Sequence, residues 1–129
     1  MIVIGIGTTS AATADDIVAA VHEVEGRAGS PCRVLASLRR GGELDRVIAN
    51  ASAAIDCRMQ LLALDELKAR SNDCITRSAA SIGAYAISSV AEAAALAGAG
   101  PGSRLLMARI VFDRVTVAVA ELHLEEHPL

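Results

Sequence analysis

The sequence predicts an α/β domain: a three-layer sandwich around a mixed, mostly parallel five-stranded sheet that ends in an antiparallel hairpin. Three observations predict it. Short apolar runs at residues 1–6, 32–38 and 59–64 alternate with segments of helical period, the pattern of parallel strands joined by crossover helices. Two later apolar segments, near 104–111 and 115–122, are joined only by Asp113-Arg114, a connection short enough for a hairpin. The apolar fraction is 53%, nearly all Ala, Val, Ile and Leu, with one Phe, one Tyr and no Trp. Such small aliphatic side chains favour helices packed tightly on a sheet. At 129 residues the whole chain, 1–129, reads as one domain, with a tail at 123–129 that has nothing to bury and is expected to fray.

Each element has a local reason. MIVIGI at the start is a continuous apolar run bounded by glycine, as in a strand buried on both faces. Thr13 offers a helix cap, Asp15 and Asp16 suit the first turn, and Ile17, Val18, Val21 and Val24 form an apolar stripe closed by Gly26 and Gly29. CRVLASL is the second strand, and Arg39-Arg40-Gly41-Gly42 forms a basic turn after it. The second helix starts near Glu43, with Leu44, Val47, Ile48, Ala51 and Ile55 on one face. MQLLAL is the third strand, and Asp65 caps a short helix through Arg70. A polar loop, SNDCITR, leads to a helix capped by Ser78 and ending near Ala86. Ser89 and Glu92 then have the spacing of a capping box, and Gly98, Gly100, Pro101 and Gly102 are read as the stop of that helix. In the last strand Val115, Val117 and Val119 alternate with Thr116, Ala118 and Ala120, so one face is branched and the other small. A helix is expected on the small side.

Composition excludes several function classes. A net charge of −3 and a near-absence of aromatic residues argue against nucleic acid as a partner. No apolar run approaches the ~20 residues of a membrane span. The start of the chain lacks the basic region of a signal peptide, and the three cysteines, Cys32, Cys57 and Cys74, have neither disulfide nor zinc spacing. A reducing cytoplasm is the expected compartment, and the cysteines are expected to be free. Eleven of the basic residues are Arg and one is Lys. Arg holds carboxylates bidentately, although a genome rich in Arg and Ala codons also accounts for the bias.

SVAEAAALAGAG at 89–100, followed by RLLMARIVFDRVTVAVAE at 104–121, resembles the C-terminal third of the CobE/CbiG C-terminal domain family of cobalamin (vitamin B12) biosynthesis. The resemblance extends over nearly the whole chain and is strongest from Ser78 to Ala120. Family members commonly read Thr-Pro-Ser before a helix and then Gly-x-Gly-Ser-Val-x-Glu. Here Thr76-Arg77-Ser78 stands at the first motif, Ala86 and Ser88 replace the two glycines, and Ser89, Val90 and Glu92 match. The family's early G-x-G turn is typically followed by Cys or a similar residue and then Arg, where this chain has Thr8 and Thr9. Its Lys in the loop after the second strand has a counterpart in Arg40, with Glu43 beyond. The resemblance implies a role in cobalamin biosynthesis in which the protein binds or helps process a carboxylated precorrin or corrin intermediate, as a non-catalytic carrier or accessory protein. It implies a tetrapyrrole-derived small molecule and other enzymes of the pathway as partners, and no cofactor. The alternatives are an enzyme of corrin-ring processing (a hydrolytic, C–C cleavage or ring-contraction step) and an NADP-type module.

Three regions carry the candidate sites. Gly5-Ile6-Gly7-Thr8-Thr9-Ser10 nearly spells a phosphate loop after the first strand, where open α/β sheets place their ligands. It reads as a tight turn, a nucleotide site or an anion site, with Arg39 and Arg40 standing where a ribose-reading acid would be. Thr76, Arg77 and Ser78, with Ser89, form the second candidate, and both serines also have the bland role of helix caps. His123 and His127 have metal-ligand spacing on a helix, but in a solvated tail with no ordered second shell, so no metal site is expected. His22 is read as a surface residue of the first helix. No acid, base and nucleophile set emerges from the sequence.

Overall fold

A computed structural model describes residues 2–121. The strands are β1 (Ile2–Thr8), β2 (Cys32–Leu38), β3 (Arg58–Leu62), β4 (Leu105–Phe112) and β5 (Val115–Glu121), and the helices are α1 (Ala14–Ala28), α2 (Glu43–Ile55), α3 (Leu64–Lys68), α4 (Ala79–Tyr85) and α5 (Val90–Ala99). They form one sheet in the order β3-β2-β1-β5-β4. β1, β2 and β3 are parallel, whereas β5 runs antiparallel to both β1 and β4. The expected mixed sheet and its closing hairpin are both present. β5 inserts beside β1, so the first and last strands form the centre of the sheet and β4 becomes an edge.

Helices cover both faces. Ile2, Ile4 and Ile6 of β1 and Val115, Val117 and Val119 of β5 pack with Ile17, Val21 and Val24 of α1 and Ile48 and Ala51 of α2. On the other face Val3, Ala36, Ala118 and Ala120 meet Ala91, Ala94, Ala95 and Leu96 of α5, with Leu67 of α3 beside them. The branched side of β5 therefore faces α1, and the small side receives a helix, as its alternation predicts. Small residues on both partners bring α5 unusually near the sheet. A Cβ on Gly5 would overlap the carbonyl oxygen of Ala91 and lie 2.5 Å from the nitrogen of Ala95.

Several local expectations need correction. Gly98 lies inside α5 rather than ending it; a Cβ there would approach Ala36 Cβ to 2.9 Å, and the helix stops only at Gly100. Gly26 lies within α1, which ends at the left-handed Gly29, φ 67°. Asp65 does not cap α3. Ala63 holds the cap position, and its amide donates to the Glu66 carboxylate at 2.8 Å. Thr13 caps α1 as expected, in a reciprocal box with Asp16 that the sequence reading did not identify. No single helix among the described residues is long and apolar enough to cross a membrane. The tail at 123–129, with His123 and His127, lies outside the described residues.

Candidate functional site

The carboxyl ends of β1 and β2, the end of β4 and the β4–β5 turn all lie at one end of the sheet. α5 begins there as well. Together with α4 they enclose a cleft of about 380 Å³, within the range of small-molecule sites. Gly7, Thr8 and Thr9 form one wall, Arg109 and Arg114 another, and Ala84 and Tyr85 of α4 a third. Ser89, Val90 and Ala91 bring the first turn of α5 to the cleft, where backbone amides and the helix dipole favour anions.

Local geometry fixes these groups. The Arg40 guanidinium donates to the Thr8 carbonyl oxygen at 3.1 Å and lies 5.6 Å from the Tyr85 ring centre, a cation–π distance. The Asp45 carboxylate secures the loop itself by accepting from the amides of Arg40 and Gly41 at 3.0 and 2.8 Å. Arg114 lies 3.7 Å from Asp16 and is half-exposed. Among the described residues no carboxylate pairs with Arg40 or Arg109. Ser78 caps α4 by accepting from the Ser81 amide at 3.3 Å, and Ser89 caps α5 by accepting from the Glu92 amide at 3.3 Å.

Of the residues singled out from sequence, Gly7, Thr8, Thr9, Arg40, Ser78 and Ser89 line the cleft, and Gly5, Ser10, Arg39, Thr76 and Arg77 do not. Gly5 lies beneath α5, so its missing side chain admits a helix rather than a ligand. Arg39 turns to β3 and donates to the Leu61 carbonyl oxygen at 3.2 Å. Thr76 donates its hydroxyl to Glu92 at 2.7 Å, and Ser10 and Arg77 are exposed. The sequence reading missed Tyr85, Arg109 and Arg114. One signal was available: Arg109 is the only charge in the apolar strand LLMARIVF.

Glu92 departs from its expected role. Its carboxylate does not reach back to the Ser89 amide. It is fully buried and accepts from the amides of Ile75, Thr76 and Arg109 at 2.6, 3.1 and 2.9 Å. Burial alone would raise its pKa, but the amide of Arg109, the hydroxyl and amide of Thr76 and the amide of Ile75 outweigh it and hold the carboxyl below its ordinary range. The thiols are different: burial pushes Cys74 up to about 11 and raises Cys32 and Cys57 as well, so none presents a thiolate near neutrality. His22 is exposed on α1. Among the described residues no cluster of His, Cys, Asp and Glu has the arrangement of a metal site.

Comparison with known proteins gives a consistent picture. A sequence model of the family described as cobalamin synthesis G C-terminus matches residues 2–120. The fold matches that of CobE, a protein from the cobalamin (vitamin B12) biosynthetic pathway, at 28% identity and a TM-score of 0.87, over 98% of this chain and 93% of that one. The cobalamin biosynthesis protein chiG from Agrobacterium tumefaciens is 31% identical, with a TM-score of 0.70 over 93% of this chain and 97% of that one. A cobalamin biosynthesis protein G homolog from Sulfolobus solfataricus shares the fold at 22% identity and a TM-score of 0.63, over 92% of this chain but 36% of that longer one. Among curated proteins no match is found.

Proposed function

The chain belongs to the cobalamin synthesis G C-terminus family, and from that premise we propose that it binds a carboxylated precorrin or corrin intermediate in the cleft at the carboxyl end of the sheet. The observation that carries the proposal is the convergence of Arg40, Arg109 and Arg114, from three separate elements, on the first turn of α5. Arginines and helix amides recognise carboxylates, which such intermediates carry on acetate and propionate arms. Ala84, Tyr85, Val90 and Val111, which also line the cleft, offer apolar surface to a ring edge. The cleft is too small to enclose a whole macrocycle, so the ligand would be held by one side.

The role proposed is to hold and hand over the intermediate. Ser78 and Ser89 are both engaged as helix caps, which leaves their oxygens less free for chemistry. Nothing in the geometry favours a dinucleotide: Gly5 is covered by α5, and α1 begins with its own Thr13 cap and two acidic side chains.

The test is an absorbance titration of the purified protein with corrin intermediates, followed by mass analysis of the bound species. A shielded Arg–carboxylate contact contributes about 1.5–3 kcal/mol. Arg40→Ala should therefore weaken binding from several-fold to about a hundredfold, with the larger loss at low salt. Arg114→Ala should cost less, because Arg114 is half-exposed and already near Asp16. Unchanged affinity in the Arg40, Arg109 and double variants would remove the cleft from consideration, and tight NADP binding with no response to corrins would overturn the reading.

A further inference from the structure

We propose that Glu92 is a positioning residue for the ligand cleft: its buried carboxylate clamps the backbone of Arg109 and of residues 75 and 76, and so aims the Arg109 guanidinium and holds the wall that carries Ser78. The inference rests on the ligand reading above. Glu92 itself does not line the cleft, and no part of it is exposed. Any effect on a ligand must pass through the groups it holds.

Two independent observations support the clamp. The first is the strand that carries Arg109. In the β4–β5 ladder Met107 pairs with Val119 and Ile110 with Val117, and the register shifts between them, so Arg109 has no partner in the ladder. Bulges of this kind re-aim a side chain and leave an amide to be satisfied elsewhere. That amide donates to Glu92 Oε2 at 2.9 Å. The second is the chemistry of the other donors. Oε2 also accepts from the Thr76 hydroxyl at 2.7 Å, and Oε1 accepts from the amides of Ile75 and Thr76 at 2.6 and 3.1 Å. Three of the four donors are backbone N–H groups, which cannot act as acceptors. An isosteric carboxamide would oppose its own NH2 to the Arg109 amide in one orientation, and to the amides of Ile75 and Thr76 in the other. Only a carboxylate fits all four. The clamp joins α5 to the loop that leads to Ser78 on one flank and to the bulged edge strand on the other.

The experiment compares wild type, Glu92→Gln, Arg109→Ala and the double variant by two readouts. One is amide hydrogen exchange at Ile75, Thr76 and Arg109. The other is absorbance titration with a porphyrin octacarboxylate. In Glu92→Gln either the Arg109 amide or the Ile75 and Thr76 amides should lose protection, according to which way the carboxamide turns, while the β1–β2 ladder keeps its own. Affinity should fall roughly tenfold in each single variant and no further in the double, the non-additivity of residues that act as one unit. Should Glu92→Gln not fold, Thr76→Ala removes one donor and keeps the carboxylate; its smaller loss should likewise vanish in the Arg109→Ala background. Retained protection of the three amides, wild-type affinity in Glu92→Gln, or losses that multiply in the double variant would each overturn the proposal. A wild-type protein that ignores the porphyrin and the corrins overturns the ligand reading and the aiming role with it, and the exchange pattern then still decides for or against the clamp.

Discussion

Replacing Gly5 by Ala tests how the two central layers meet. A Cβ at this position would overlap the Ala91 carbonyl oxygen and lie 2.5 Å from Ala95 N and 2.9 Å from Ala95 Cβ. Unstrained contacts between such atoms begin near 3.5 Å, so α5 would have to rise by roughly 1.5 Å to clear the Ala91 carbonyl oxygen. No rotamer can relieve the overlap, because two of the three atoms are helix backbone. Overpacking typically costs about 1–3 kcal/mol. Here the displaced helix has eight of its residues buried, and we expect a loss of at least ~3 kcal/mol, only slightly offset by the better strand propensity of Ala. For a domain of this size that corresponds to a fall in Tm of about 10–15 °C. Gly7→Ala is the control. Its Cβ would meet Ala91 N at 3.7 Å, Val90 Cβ at 3.8 Å and Thr116 Cβ at 3.9 Å, all ordinary contacts, so its stability should stay within about 1 kcal/mol of wild type. Thermal and urea unfolding followed by far-ultraviolet circular dichroism would measure both, since the chain has no Trp. A Gly5→Ala protein as stable as Gly7→Ala would refute the argument.

Further outcomes follow from the same contacts. Ser89→Ala should lose about 1 kcal/mol through its missing cap, and Glu92→Ala about 3 kcal/mol or more by leaving three amides without their acceptor; the reverse order in denaturant unfolding would restore the simple capping box. Because the folded protein holds the Glu92 carboxyl below its ordinary value of 4.5, its contribution is complete above that pH and is lost as pH falls through the lower folded value. Melting temperatures measured from pH 6 downward should therefore decline in wild type and decline less in Glu92→Gln. Arg70 donates to the carbonyl oxygens of Leu96, Gly100 and Ser103 at the end of α5. Arg70→Lys should cost about 1–2 kcal/mol in urea unfolding, because an ammonium cannot reproduce the planar fork; full stability in that variant would discount this cap.

The strands were legible because burial on two faces demands continuous apolar runs, and the two faces of β5 could be told apart from its alternation alone. The order of the strands was not legible. Periodicity reports what each segment buries, not which neighbour it finds, so the insertion of β5 beside β1 left no local trace. That is why Thr8, Arg40 and Ser78 could be assigned to one end of the sheet, whereas Arg109 and Arg114, brought there by the hairpin, could not. Gly98 misled for a related reason. A glycine near the end of a helix usually marks its stop, and only the tertiary approach of Val3 and Ala36 explains one inside it. Glu92 fits a capping box by spacing, yet it is the lone charge in VAEAAALAGA. A charge surrounded by alanines on every face of a helix has no solvated side to occupy.

The pairing of Ile2 with Glu121 places both ends of the described fold side by side, at the opposite end of the central strands from the paired Gly7 and Thr116, which line the cleft. Both ends of the described fold therefore leave the sheet at the end remote from the cleft mouth. This gives the fold the wiring of an exchangeable module: it can be spliced into a longer polypeptide, or have its two ends tied together in a permuted chain, without obstructing the cleft mouth. The Sulfolobus homolog, in which the matching region is only 36% of the chain, is one such longer polypeptide.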